Sequence, residues 1–366
     1  MAECDDRARR RSERSTSRVA GGGRIGGSGA LDESAGVDSE VLAAVRAADG
    51  AAFAGLAERH RRELRVHCYR MVGSFDDAED LVQEALLRAW RYRGSFQGRS
   101  AFRAWLYRIA TNVCLDFLER HPRQPTPGES GRPAEVGWLQ PFPDGLLEPV
   151  AAREAEPEAV VVATETIELA CVVAIQHLPP RQRAVLILRD MLGWPAAETA
   201  ALLGMSVAAV KSALQRARPV LREHLPERRA GRVAATPLAG RERELLRRFV
   251  RAHERADTAA LAELLSEDVR LSMPPLPYCF TGRAKVVAFV QNALGSGSPL
   301  HRGQWRGVPA AANRQPAMAG YIRLPGEAAY QPQVLNVLRI EDGEITEIVA
   351  FEPRVFGAFG LPATLP

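Results

Sequence analysis

AAETAALLGMSVAAVKSALQRAR, residues 196–218, decides the fold of the middle of this chain, because three of its residues have the spacing that two crossing helices need. Ala200 is small enough for the helices to approach closely, Gly204 takes the turn between them, and Val210 plugs the angle. Ser206 is placed as the N-cap of the second helix. That helix is expected to bury Val207, Val210 and Leu214, and to turn Ala208, Ala209, Lys211, Ser212, Gln215, Arg216 and Arg218 outward. Such a face, small at its tip and cationic along its flank, suits the major groove of DNA. The alternative is an ordinary helical hairpin with a solvated basic face. Residues 171–232 hold ten basic against four acidic side chains, which favours DNA.

Outward from this motif the chain divides by composition. At 366 residues it is long for one core, so two or three domains are expected. The net charge of +4 is mild, but residues 124–170 carry two basic against nine acidic residues, an acidic stretch between basic blocks. The five cysteines form no CxxC or Cys/His cluster, which points to reduced thiols and gives no metal site. No apolar run reaches 18 residues and no signal-peptide h-region is present, so a cytoplasmic protein without membrane association is expected.

The expected domains follow. Residues 1–38, rich in Arg, Ser and Gly, read as a disordered basic tail, solvated rather than bound to nucleic acid. Residues 39–121 have helical apolar spacing, 122–162 form a Pro-rich acidic linker, and 163–228 contain the helix-turn-helix. Residues 238–356 begin with amphipathic helices from Arg241 and then change pattern. Apolar and β-branched runs (269–273, 318–324, 334–340 and 345–351) surround a helix near 285–294, and EDGE at 341–344 is a hairpin turn. That domain reads as α+β, and 357–366 as a C-terminal tail.

Two stretches of the first domain carry chemistry. In DAEDLVQEALLRAW, residues 77–90, Ala78, Leu81, Val82, Ala85 and Ala89 make an apolar stripe, while Asp80, Gln83, Glu84 and Leu87 share another face. Asp76 and Asp77 are sufficiently explained as acids at a helix N-terminus. In FQGRSAFRAWLYRIATNVCLDFLER, residues 96–120, Phe102, Trp105, Leu106, Ile109 and Val113 have core spacing. Arg99, Ser100, Arg103, Arg108, Asn112 and Asp116 are better placed to meet a nucleic-acid strand.

Taken in order, DAEDLVQEALLRAW, SFQGRSAFRAWLYRIATNVCLDFL, a linker, and LPPRQRAVLILRDMLGWPAAETAALLGMSVAAVKSALQRAR resemble the extracytoplasmic-function group of the bacterial sigma-70 family over about residues 40–225. The resemblance implies all-α region 2 and region 4 domains, with core RNA polymerase and promoter DNA as partners. By position it places Asp80, Gln83 and Glu84 on a basic coiled coil of the polymerase's largest subunit, with Leu87 as apolar anchor, and region 4 near the flap. Phe96, Asn112 and Asp116 match the places that hold a flipped base of the −10 element, with Arg99, Ser100, Arg103 and Arg108 nearby. Ser206 and the outward residues of the second helix match −35 recognition. The linker is long for the group. It is expected either to be a solvated tether or to follow the polymerase's RNA path as an acidic mimic of nucleic acid.

The last domain resembles the SnoaL-like, NTF2-like cone fold, a curved sheet wrapped by helices around a pocket. Isomerases of this fold carry a basic carboxylate just before a proline. Here Met273 precedes Pro274, and a thioether cannot accept the proton. Asp268 reads as a helix-to-strand turn residue, and Asp257, His253, Tyr321 and Glu352 are the polar residues available to a cavity. No catalytic residue, metal ligand or cofactor is assigned. The expected role is control of the sigma domains, with a small-molecule ligand for this domain. The alternatives are a DNA-binding portion fused to a cyclase or isomerase, and an ordinary repressor, which has no use for the first domain's motifs.

Overall fold

The protein is described from a computed structural model that covers residues 39–45, 47, 49–96, 101–125, 133–147, 167–225, 240–294 and 297–366. The expectations for residues 1–38, and for Arg99 and Ser100, lie outside the described residues.

The first block is built from α1 (Gly50–Glu58), α2 (Arg61–Val72), α3 (Phe75–Arg91) and α4 (Phe102–Arg120). Local signals set the boundaries. Asp49 caps α1 by accepting from Ala52 N at 2.9 Å, and Ser74 caps α3 by accepting from Asp77 N at 3.3 Å. Gly73 ends α2 at φ +73°, where a Cβ would lie 3.1 Å from the Gln176 side chain and 3.2 Å from Trp138 Nε1. Both the backbone angle and the close approach therefore require glycine. The apolar stripe of α3 packs on α2 and α4, and Phe53, Phe96, Phe102 and Trp105 form an aromatic cluster beside it.

The second block contains α5 (Leu169–Gln176), α6 (Pro180–Leu186), whose last turn widens over Ile187–Met191, α7 (Ala196–Leu203) and α8 (Val207–His224). It docks directly on the first. Arg183 is almost fully buried and donates to the carbonyl of Met71, and to Gln176 Oε1, Gln176 O and Leu178 O, the last three at 2.7, 2.9 and 3.0 Å. Burial lowers its pKa to about 9; the four acceptors serve its two terminal nitrogens, while Nε has no hydrogen-bond partner among the described residues. Gln176 in turn donates to Arg70 O at 3.1 Å, so the C-terminus of α2 is capped by side chains of the second block.

The third block opens with α9 (Gly240–Glu254) and α10 (Thr258–Ala262). A six-stranded sheet follows, with α11 (Arg283–Leu294) inserted after its second strand. The strands are β1 (Leu265–Met273), β2 (Leu276–Thr281), β3 (Gln304–Ala312), β4 (Gln315–Arg323), β5 (Gln331–Glu341) and β6 (Glu344–Phe351), in the order β2-β1-β6-β5-β4-β3. Only the β1–β6 pair is parallel. Asp342 and Gly343 have φ +54° and +85°, the primed turn that EDGE announced. Strands β2 and β3 were not read from sequence, because Pro, Cys, Gly and Ala blur their alternation. Asp268 lies inside β1 rather than in a turn. The final residues are pinned: Tyr330 and Leu365 exchange backbone hydrogen bonds of 2.8 and 3.1 Å.

Residues 133–147 tie the three blocks together. Val136, Leu139, Phe142 and Leu147 are buried. Gln140 receives Ser74 Oγ and Asp76 N on its Oε1 at 3.1 and 2.9 Å, and its backbone oxygen accepts from Tyr69 Oη at 2.9 Å. On the other side stands Asn313, at the β3–β4 turn with φ +55°. Its amide accepts from Phe142 N at 2.7 Å and donates to Tyr69 Oη and Ile167 O at 2.9 and 2.7 Å. The backbone N–H of Arg314 donates to Asp144 Oδ1 at 2.8 Å. In this conformation the described part of the acidic segment therefore packs against protein on several sides.

Two predictions follow from this packing. Asn313→Ala strands partners in the first block, in the linker and at the entrance to the second block, and places alanine at positive φ. The expected loss is about 2–4 kcal/mol, read as a lower Tm together with faster hydrogen exchange of residues 136–147. The Asp144 carboxyl has its pKa raised to about 6, chiefly by burial, against the opposing pull of Arg314. Its contribution to stability is full below about pH 4, the unfolded value, and is lost as pH rises through about 6. Relative to Asp144→Asn, the native chain should therefore gain in Tm when pH is lowered from 7 to 5.

Candidate functional site

Helix α3 turns its predicted binding face to solvent. Asp80 and Gln83 are exposed, Glu84 is half-buried, and Leu87 is 60% exposed, while Ala78, Leu81, Val82, Ala85 and Ala89 face inward. Glu84 accepts from Arg88 Nε at 2.6 Å, and Arg88 donates through its other nitrogen to Asp116 Oδ2 of α4 at 2.8 Å. Asp116 first and Glu84 second raise the pKa of Arg88, so it is a fixed cation between the two faces. Arg88 was not picked out from the sequence, although its position four residues after Glu84 was a usable signal.

On α4, Arg108 and Asn112 are exposed and Asp116 is half-buried, one turn apart along one face. Two other predicted residues stand apart from them. Phe96 is 4% exposed, with its ring 5.4 Å from Phe102 and 5.6 Å from Trp105. Arg103 donates to Glu63 Oε2 at 2.7 Å and lies over the rings of Tyr107 and Trp194 at 5.0 and 5.5 Å. Trp194 belongs to the segment leading into α7, which packs on α4, so the Arg103 side of the helix is occupied by the second block.

The helix-turn-helix has the geometry its spacing implied. Helices α7 and α8 meet at a bend of 99°, Gly204 has φ +62°, and Ala200 and Val210 are buried. Ser206 accepts from Ala209 N at 3.1 Å. Ala208, Lys211, Gln215 and Arg216 are exposed, and Ala209 and Ser212 half-buried. Arg218 is exposed but engaged, both of its donating nitrogens lying 2.9 Å from Asp190. Val207 differs from expectation. It is 40% exposed at the first helical position, and Val210, Ala213, Leu214 and Ala217 supply the buried face instead.

The third block encloses a cavity of about 340 Å³ between its helices and sheet. Of the polar residues expected there, His253 and Glu352 line it, as does Met273. Asp257 instead caps α10 by accepting from Ala260 N at 2.9 Å, and Tyr321 donates to Pro362 O at 2.9 Å on another side of the sheet. His253 meets the edge of Trp305 at 4.7 Å between ring centres. Gly307 and Gly320, paired across β3 and β4, leave room for this: a Cβ on Gly307 would lie 2.8 Å from Val250 of α9, and one on Gly320 would lie 3.6 Å from His253 Nε2. Burial lowers the His253 pKa to about 4, so its imidazole is neutral at neutral pH. Among the described residues no His, Cys, Asp or Glu group is arranged to hold a metal, and no single helix is long and apolar enough to cross a membrane.

Comparison with known proteins gives the same three parts in the same order. Residues 56–124 match Sigma-70 region 2, 172–219 match Sigma-70 region 4, and 246–348 match the SnoaL-like domain. The chain is 42% identical over 325 residues to the ECF RNA polymerase sigma factor SigG of Mycobacterium tuberculosis, covering 86% of this chain and 85% of that protein. It is 36% identical over 181 residues to SigM of the same organism, covering 50% of this chain and 81% of that one. The crystal structure of M. tuberculosis SigJ, at 25% identity, superposes with a TM-score of 0.53 over 84% of this chain and 98% of its own. The two sigma-70 regions, the SnoaL-like domain that follows them and the 42% identity over most of both chains make this chain a member of the extracytoplasmic-function (ECF) family of RNA polymerase sigma factors.

Proposed function

We propose that this chain is a cytoplasmic transcription initiation subunit that delivers core RNA polymerase to promoters and catalyses no reaction of its own. The observation that carries this reading is Leu87, an exposed leucine on the same helix face as Asp80, Gln83 and Glu84, opposite a face that is buried. An apolar anchor inside an acidic rim suits a basic protein surface and repels phosphate, which fits the coiled coil of the polymerase's largest subunit. Region 4 then lies near the flap.

Arg108, Asn112 and Asp116 take the flipped base of the −10 element, and Arg99 and Ser100 are assigned to the same element from the sequence resemblance alone. Phe96 and Arg103 join them only after the aromatic cluster opens and Trp194 withdraws, because both are engaged in the docked arrangement. Ser206, Ala208, Ala209, Lys211, Ser212, Gln215, Arg216 and Arg218 read the −35 element, with Arg218 exchanging Asp190 for phosphate. The C-terminal domain regulates these surfaces through the packed linker and takes a small-molecule ligand in its cavity. A cyclase or isomerase is less well supported. Met273 occupies the place of the base, Asp257 is a helix cap, and His253 Nε2 has no hydrogen-bond partner among the described residues.

Reconstitution with core polymerase and a duplex promoter tests the reading through run-off transcription. Glu84→Lys should weaken core binding by at least about thirtyfold and abolish run-off while leaving the circular dichroism spectrum unchanged. Retained core affinity would remove the assignment of α3. Deletion of residues 236–366 should change promoter output in the same purified system, and unchanged output would count against a regulatory C-terminal domain.

A further inference from the structure

The cavity of the C-terminal domain has a chemistry specific enough to name a class of ligand, an inference that rests on the regulatory reading above. Its volume of about 340 Å³ is at the lower end of the range for small-molecule sites, about 300–1,000 Å³. The walls are hydrocarbon, supplied by residues such as Leu271, Phe289, Val290, Val334 and Ile348. No lysine or arginine is among the described lining residues. The acid among them, Glu352, is exposed at the rim and paired with Arg354 at 3.3 Å. A charged ligand would lose its hydration inside without gaining a counter-ion.

Gln333 and Asn336 also line the cavity, and two further lining residues each carry a buried polar atom without a partner. Trp305 Nε1 and His253 Nε2 are both buried, and neither has a hydrogen-bond partner among the described residues. Their rings are in edge contact, so the two atoms belong to the same part of the cavity. An indole N–H can only donate, and left without an acceptor in an apolar site it is unfavourable. A neutral imidazole nitrogen beside it can accept from a hydroxyl or donate to a carbonyl.

We propose that the cavity binds an uncharged, mainly hydrocarbon small molecule, of two or three rings or equivalent chain length, whose carbonyl or hydroxyl oxygen accepts from Trp305 Nε1 beside His253. The rim gives such a ligand a route to the rest of the protein. Leu276 of β2 lines the cavity, and the β1–β2 hairpin packs against the linker turn Pro133–Glu135. Glu135 lies 3.6 Å from His177, at the end of α5 in region 4.

The test uses 6-propionyl-2-dimethylaminonaphthalene, a neutral two-ring ketone whose emission moves to the blue in apolar surroundings, titrated into the full chain. Saturable, blue-shifted emission is expected. Trp305→Phe keeps a ring and removes the N–H, and should weaken binding about tenfold. Val290→Phe fills the cavity and should abolish saturable binding. The matching naphthalene sulfonate, an anion with the same rings, should bind the native chain at least about tenfold more weakly than the ketone. That comparison needs no variant and so does not depend on either variant folding. Absence of a saturable site for the ketone, equal binding of ketone and sulfonate, or unchanged affinity in both variants overturns the assignment. Run-off transcription at saturating ketone separates the two levels: binding as described with unchanged run-off keeps the ligand class and removes the regulatory reading.

Discussion

The short segment from Trp138 to Asp144 fixes where everything else in this protein can sit. A peptide buried among three blocks must have its N–H and C=O groups matched, and here the matching is distributed. Tyr69 and Gly73 of α2 and its cap serve Gln140, and Asn313 of the distant sheet serves Phe142 in both directions. Because Asn313 also reaches Ile167, the entrance to region 4 is set by the same amide. The relative placement of the two helical blocks, set directly by Arg183 and Gln176, is therefore also tied to a β-turn that belongs to neither.

Charge is arranged on the same principle of shared groups. Arg88 bonds Glu84 of α3 and Asp116 of α4, so the two candidate binding faces are electrostatically joined. Arg183 satisfies carbonyls in both helical blocks from a site closed to solvent. A buried guanidinium is tolerable only where most of its donors are matched in this way, which makes the docking geometrically demanding rather than merely sticky.

Much of this was legible in the sequence because it depends on local rules. The stripe of α3, the cap at Ser206, the turn at Gly204 and the EDGE hairpin follow from periodicities and backbone preferences that a short window contains. The same holds for Asp80, Gln83 and Leu87 sharing an exposed face. Val207 was misjudged because an apolar residue at the first position of a helix is governed by the angle of the preceding turn, not by helical spacing. The burial of Phe96, the capture of Arg103 by Glu63 and Trp194, and the hub at Asn313 join residues far apart in the chain, and no local pattern signals them. Residues 122–162 read as a solvated tether or an acidic mimic because proline and acid content report backbone preference and charge, whereas the burial of 133–147 is decided by partners elsewhere.

The bond from Asn313 to Tyr69 spans 244 residues of chain. During synthesis the first helical block leaves the ribosome long before the sheet that completes its surface. Contacts of such high sequence separation form late, and loop closure delays them further. Until then Tyr69 and the groove for Phe142 are open surface, although region 4 can already dock on the first block through Arg183 and Gln176. The nascent chain therefore passes through an interval in which α3 is complete but the contacts from the C-terminal sheet do not yet exist.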